Sequence, residues 1–151
     1  MVPEKIGGIP AHPLIVHLPI VLGPLVGLLA VLLLVPSLRA KLAWPTAGLA
    51  VVFAVSAMLA VQSGETLAET LQLGDLIEEH EEAAEALRNI ALLFAAVAVG
   101  VAALRSKVTG TAQHAAVVVL AVLGVATIGF TIKTGHEGAK AVWAPQLESS
   151  R

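Results

Sequence analysis

Most of the chemistry this sequence can offer lies in its five histidines. His12 and His17 flank the start of an apolar run, Ala11-His12-Pro13-Leu14-Ile15-Val16-His17-Leu18-Pro19-Ile20. His80 sits between Glu79 and Glu81, His136 precedes Glu137, and His114 stands apart. Neutral imidazole is a ligand for zinc, copper and iron, haem iron included. A carboxylate beside it either adds an oxygen ligand or fixes the imidazole tautomer. Glu65, after Ser63-Gly64, is alone at the end of an otherwise apolar stretch and joins Glu81 as a candidate metal ligand. His12 and His17 are five residues apart, which is not the i, i+4 pattern of two ligands on one helical face. Pro13 places His12 in an extended segment ahead of the helix, from where both rings can still point inward. With no cysteine, disulfides, thiolate zinc sites, iron–sulfur clusters and covalently attached haem are excluded. There is no His-Glu-x-x-His, no glycine-rich phosphate loop and no serine nucleophile elbow. Electron transfer or metal binding is therefore favoured over hydrolysis, and whether the protein is an enzyme stays open.

The elements that must position these residues are membrane helices. Of 151 residues, 57% are hydrophobic and 13% charged, and mean hydropathy is +0.88, whereas a soluble domain carries roughly 25% charged residues. The sequence predicts an all-α, integral membrane, four-helix antiparallel bundle forming a single membrane domain over residues 1–151. Its spans fall near 14–35, 42–61, 86–104 and 114–132. Pro19 and Pro24 predict a bent entrance to the first span, and Trp44 and Trp143 mark interfacial depth. Between spans two and three, residues 62–85 carry Glu65, Glu69, Asp75, Glu78, Glu79, Glu81, Glu82 and Glu85 and cannot cross lipid. Leu67, Leu71 and Leu76 suit this acidic segment to a helix lying on the interface. The N-terminus lacks the basic start and short apolar core of a signal peptide, so the first span is read as retained. A net charge of −2 with no basic run leaves no electrostatic footprint for nucleic acid.

Arg39, Lys41, Arg105 and Lys107 occupy the first and third turns without an acidic neighbour, and the positive-inside rule makes those turns cytoplasmic. Both termini and the acidic segment are then expected to be extracytoplasmic in a multi-pass cell (inner or plasma) membrane protein. His12, His17, His80 and His136 then gather at the outer face, with His114 on the inner one. Gly23, Gly27, Gly48, Gly124, Gly129 and the alanines of span three allow close helix contact, a flat ligand between helices, or a homodimer.

His12-Pro13-Leu14-Ile15-Val16-His17-Leu18-Pro19-Ile20, Ser63-Gly64-Glu65, His80-Glu81 with Ala84, and Thr134-Gly135-His136-Glu137-Gly138-Ala139 with Val142 resemble the motifs of the DUF2231 group of small bacterial membrane proteins. The likeness runs in order along almost the whole chain. Leu18 stands where that group more often has Phe, and Trp143 where it often has Tyr. The resemblance implies the four-helix fold, with His12, His17, His80 and His136 as the group's histidines and His114 outside the set. Some members look joined to cytochrome c or Rieske-type domains, which implies redox work.

Three readings stay open. In the first, the outer face binds haem b for electron transfer with an extracytoplasmic redox protein or quinone. His12, His17, His80 and His136 are the candidates from which its ligands come, Arg88 and Lys133 could pair with the propionates, and three Phe and no Tyr are few aromatics for such a pocket. In the second, His12, His17, His80, His136, Glu65 and Glu81 build a non-haem site for a divalent transition metal, Zn, Cu or Fe. In the third, the histidines are a hydrogen-bonded polar cap on a structural membrane subunit without cofactor.

Overall fold

The computed structural model describes residues 5–149. A hairpin opens it, with β1 (Lys5–Ile6) pairing antiparallel with β2 (Ile9–Pro10). Gly7 and Gly8 form its turn with φ of +59° and +84°, the positive pair that a type I′ turn requires and that glycine supplies without strain. Five helices follow: α1 (Ala11–Ile15), α2 (His17–Leu32), α3 (Pro36–Leu71), α4 (Glu78–Leu104) and α5 (Gly110–Ser149). A single 3₁₀ turn, Gly74–Ile77, lies between α3 and α4.

Among the described residues, four helical stretches are long and apolar enough to cross a membrane: Ala11–Leu32, Pro36–Leu71, Glu78–Leu104 and Gly110–Ala144. They pack as a ring in which α3 contacts α4, α4 contacts α5, α5 contacts α2, and α2 contacts α3. The fold is the expected all-α four-helix bundle. Its interior is built from small residues at helical spacing. Ala43, Ala47, Ala50, Ala54 and Ala57 line one face of α3, and Ala91, Ala95, Ala98 and Ala102 one face of α4, with Phe53 and Phe94 filling the centre. Large aliphatics point outward instead, among them Val51, Val52, Val55, Leu92, Leu93, Val122 and Val125. That inversion suits lipid, which gains nothing from hiding leucine or valine, so close backbone approach drives association.

A close backbone approach joins α2 to α5. A Cβ on Gly27 would lie 2.6 Å from the Gly124 carbonyl oxygen, and one on Gly124 would lie 2.9 Å from the Gly27 carbonyl oxygen. Gly48, Gly100 and Gly129 have open space where a Cβ would go. Only part of the expected small-residue surface is therefore a packing seam.

Three local expectations are corrected. His12 is not in an extended segment: it belongs to the short helix α1, which ends at Val16, where α2 begins. Pro19, within the first turn of α2, has no N–H to return to the Ile15 carbonyl, so one continuous ladder cannot run through. The acidic stretch 62–85 is not an interfacial helix either. Residues 62–71 extend α3, which ends where Gln72 adopts left-handed φ of 52°, and residues from Glu78 already belong to α4. At 1.5 Å per residue a 36-residue helix is about 54 Å long, well beyond the roughly 30 Å hydrocarbon core, so its acidic end projects into the aqueous zone. The Leu76 side chain and both chain termini lie outside the described residues. Span boundaries shift accordingly, with α3 and α5 running ten or more residues beyond the expected 61 and 132.

Candidate functional site

Where α1, the end of α3, the start of α4 and the end of α5 converge, the bundle forms a cavity of about 690 Å³ that is open on one side. Its walls are mostly aliphatic, with Val16, Ile20, Val61, Leu67, Leu87 and Val142 among them. Two imidazoles enter it, His12 from α1 and His80 from α4. Their ring centroids are 6.4 Å apart and their planes meet at 78°.

Each ring is held in the same manner. The Nδ1 of His12 is 3.0 Å from the Ala60 carbonyl oxygen of α3, and the Nδ1 of His80 is 3.0 Å from the Thr134 carbonyl oxygen of α5. A carbonyl only accepts, so both Nδ1 atoms carry the hydrogen, and the Nε2 lone pair of each neutral ring is left available. Ser63 Oγ, 3.2 Å from the same His12 nitrogen, also donates to the Ala60 carbonyl. Four residues beyond each carbonyl comes a glycine against the ring. A Cβ on Gly64 would be 3.1 Å from His12 Cε1, and one on Gly138 would be 3.0 Å from His80 Cε1. The hairpin of α1, α2 and α3 thus presents one imidazole, and the hairpin of α4 and α5 presents the other, with matching carbonyl and glycine supports. The Thr134 hydroxyl ties α5 to α4 by donating toward the Ala83 carbonyl, 3.1 Å away, and the Phe130 carbonyl, 2.8 Å away.

The other expected site residues fall elsewhere. His17 and His136 are exposed and do not line the cavity. Five residues advance a helix by about 500°, so His17 emerges some 140° around from His12. His136 lies two residues, about 200° of helix, from each of Thr134 and Gly138, which do line the cavity. Glu65 and Glu81 line the cavity but are exposed at its rim, where Glu78, Glu82 and Glu85 join them. Among the described residues, no three of His, Asp and Glu come together in a group that could hold a metal ion. The six-residue metal set is therefore not assembled.

Arg88 is turned to its own helix, 3.6 Å from the Glu85 carboxylate and 3.3 Å from Asn89 Oδ1. Lys133 is exposed, and neither cation lines the cavity. The carboxylates beside His80 do not orient it either: Glu79 turns outward to Lys140, 2.7 Å away, which also contacts Glu137 at 3.1 Å. Backbone carbonyls take the orienting role that the sequence assigns to carboxylates.

At the opposite end of the bundle, Arg39 donates to the Leu33 and Leu34 carbonyls at 2.9 and 3.4 Å. Its Nη2 also lies 3.1 Å from His114 Nδ1, which must accept because guanidinium only donates. His114 is thus far from the cavity, as its position in the sequence predicts.

Reading from sequence misses the supports: the Ala60 and Thr134 carbonyls, Ser63 as a buried hydroxyl, and Gly64 and Gly138 as ring platforms. The one signal is the glycine in each of Ser63-Gly64-Glu65 and His136-Glu137-Gly138, near the end of its span. A family model described as "Predicted membrane protein (DUF2231)" matches residues 8–151. No curated protein and no solved structure matches the chain.

Proposed function

We propose a function for this chain, which belongs to the DUF2231 family of predicted membrane proteins: it is a membrane electron-transfer protein whose cavity binds haem b between His12 and His80. The observation that carries the reading is the spacing of the two anchored rings. Metal–nitrogen bonds of about 2.0–2.1 Å, each extended by the roughly 1.1 Å from a ring nitrogen to its centroid, put trans imidazoles roughly 6.3 Å apart, and two ligands at a tetrahedral angle only about 5.2 Å. The centroids here are 6.4 Å apart. Two imidazoles at that separation, with no third His, Asp or Glu grouped with them among the described residues, would suit haem, which supplies its remaining nitrogen ligands itself, better than zinc.

His12 and His80 would hold the iron through Nε2 in their neutral forms, each ring being oriented by a carbonyl on Nδ1, the outer-shell bond that raises ligand basicity. The cavity volume falls within the 300–1,000 Å³ usual for small-molecule sites. Haem iron supplies a one-electron couple when bound. The lining offers the propionates no lysine or arginine, so affinity rests on the imidazoles and on aliphatic contact, and the rim carboxylates favour the more positive ferric state. The cations Arg39, Lys41, Arg105 and Lys107 put the opposite end in the cytoplasm under the positive-inside rule. The cavity then opens on the extracytoplasmic side of the cell membrane, towards a soluble redox protein or quinone.

Titrating purified protein in detergent with haem tests this. The expected result is saturable binding of one haem per chain with a Soret band shifted from that of free haem. A spectrum that is merely the sum of haem and detergent micelle at every ratio overturns the reading.

A further inference from the structure

We infer that the outer face of α3 at the basic end of the bundle binds an anionic phospholipid, with Lys41 and Arg105 holding the headgroup phosphate. No acidic residue occurs between Glu4 and Glu65 or between Glu85 and Glu137. The end formed by the α2–α3 and α4–α5 connections is therefore purely cationic. Its cations are drawn together by contacts between helices. Arg105 Nη1 donates to the Ala40 carbonyl, 3.2 Å away, so the guanidinium of the α4–α5 connection reaches the first turns of α3 at the residue before Lys41. Gln113 Nε2 donates in turn to the Arg105 carbonyl at 2.9 Å, fixing that connection to α5. Lys41 and Arg105 are both exposed.

Below them the surface of α3 has the form of an acyl-chain track. Lys41, Trp44, Gly48, Val52 and Val55 fall within about 80° of one another around the helix, at 100° per residue. Trp44 is 55% exposed, as suits a ring at headgroup depth. Gly48 has open space where a side chain would stand, and Val52 and Val55 are exposed beneath it. From Lys41 to Val55 the helix rises about 21 Å, enough to pass one hydrocarbon leaflet of roughly 15 Å. Cation, interfacial ring, gap and aliphatic stripe follow in the order of phosphate, glycerol and acyl chain. A zwitterionic lipid fits the stripe equally well, so selectivity for net negative headgroups comes from the cations.

The chain has two tryptophans, Trp44 and Trp143, towards opposite ends. With Trp143→Phe, fluorescence reports Trp44 alone. The protein is reconstituted in phosphatidylcholine vesicles carrying a minor fraction of brominated phosphatidylglycerol or of brominated phosphatidylcholine. The anionic quencher is expected to quench Trp44 more strongly. Lys41→Gln and Arg105→Gln should each reduce that preference by roughly fivefold. In the Trp44→Phe protein, Trp143 near the acidic end should show no preference, and inorganic phosphate should leave the Trp44 preference intact. Equal quenching by both lipids, or a preference that survives both glutamine substitutions, overturns the inference. Loss of the preference to inorganic phosphate also overturns it, by marking a soluble-phosphate site.

Discussion

His12→Ala and His80→Ala are each expected to abolish stoichiometric haem binding, while His17→Ala, His136→Ala and His114→Ala leave it intact. The contrast follows from geometry, since all five are histidines and four lie towards the same end of the chain's helices. Only His12 and His80 line the cavity, and only they have Nδ1 committed to a carbonyl of a neighbouring helix. Removing either would leave a single imidazole in the cavity and a void in an aliphatic wall. Losing an outer-shell partner alone typically costs 10- to 100-fold in metal affinity, so losing the ligand itself should cost at least roughly 100-fold. Haem titration of the five variants followed by absorbance measures this directly. An equal loss in His17→Ala or His136→Ala would return those rings to the site and undo the pairing.

The second large effect concerns the fold. Gly124→Ala is expected to destabilise the bundle by about 1–3 kcal/mol, the usual cost of forcing an extra methyl into a packed interface. Its new Cβ would meet the Ala30 Cβ and the Gly27 carbonyl oxygen, both at 2.9 Å. The second is backbone and cannot swing aside. Gly48→Ala and Gly100→Ala meet nothing within 4 Å, and replacing a mid-helix glycine by alanine should gain roughly 0.5–1 kcal/mol. Thermal unfolding in detergent separates the two classes. A Gly124→Ala protein that melts with the parent would mean that α2 and α5 are not joined through this seam.

These particulars indicate what a reader of the sequence alone can reach. Four apolar runs separated by charged turns specify the bundle, and their alternation places His12, His80 and His136 towards one end and His114 at the other. Periodicity of this kind decides which end a residue occupies, but it does not settle which face. His17 shows the difference: five residues from His12 place it on another side of the helix, just beyond the junction of α1 and α2 at Val16. The acidic composition of 62–71 likewise suggests a boundary. Nothing there breaks a helix, and its one glycine, Gly64, is spent on the close approach of His12. The carboxylates near His80 are a misleading cue of the same origin, because neighbours in sequence on a helix point about 100° apart. The partners that orient His12 and His80 are backbone carbonyls 48 and 54 residues away, which carry no side-chain signature.

The most direct test of paired ligation is the electron paramagnetic resonance spectrum of the ferric, haem-loaded protein. Two imidazoles with planes near 78° should give a low-spin and strongly anisotropic signal, because nearly perpendicular axial ligands leave the iron orbitals close to degenerate. That signal should vanish in His12→Ala and in His80→Ala. A high-spin signal from the parent protein, or a low-spin one that persists in either variant, would contradict a haem held between these two rings.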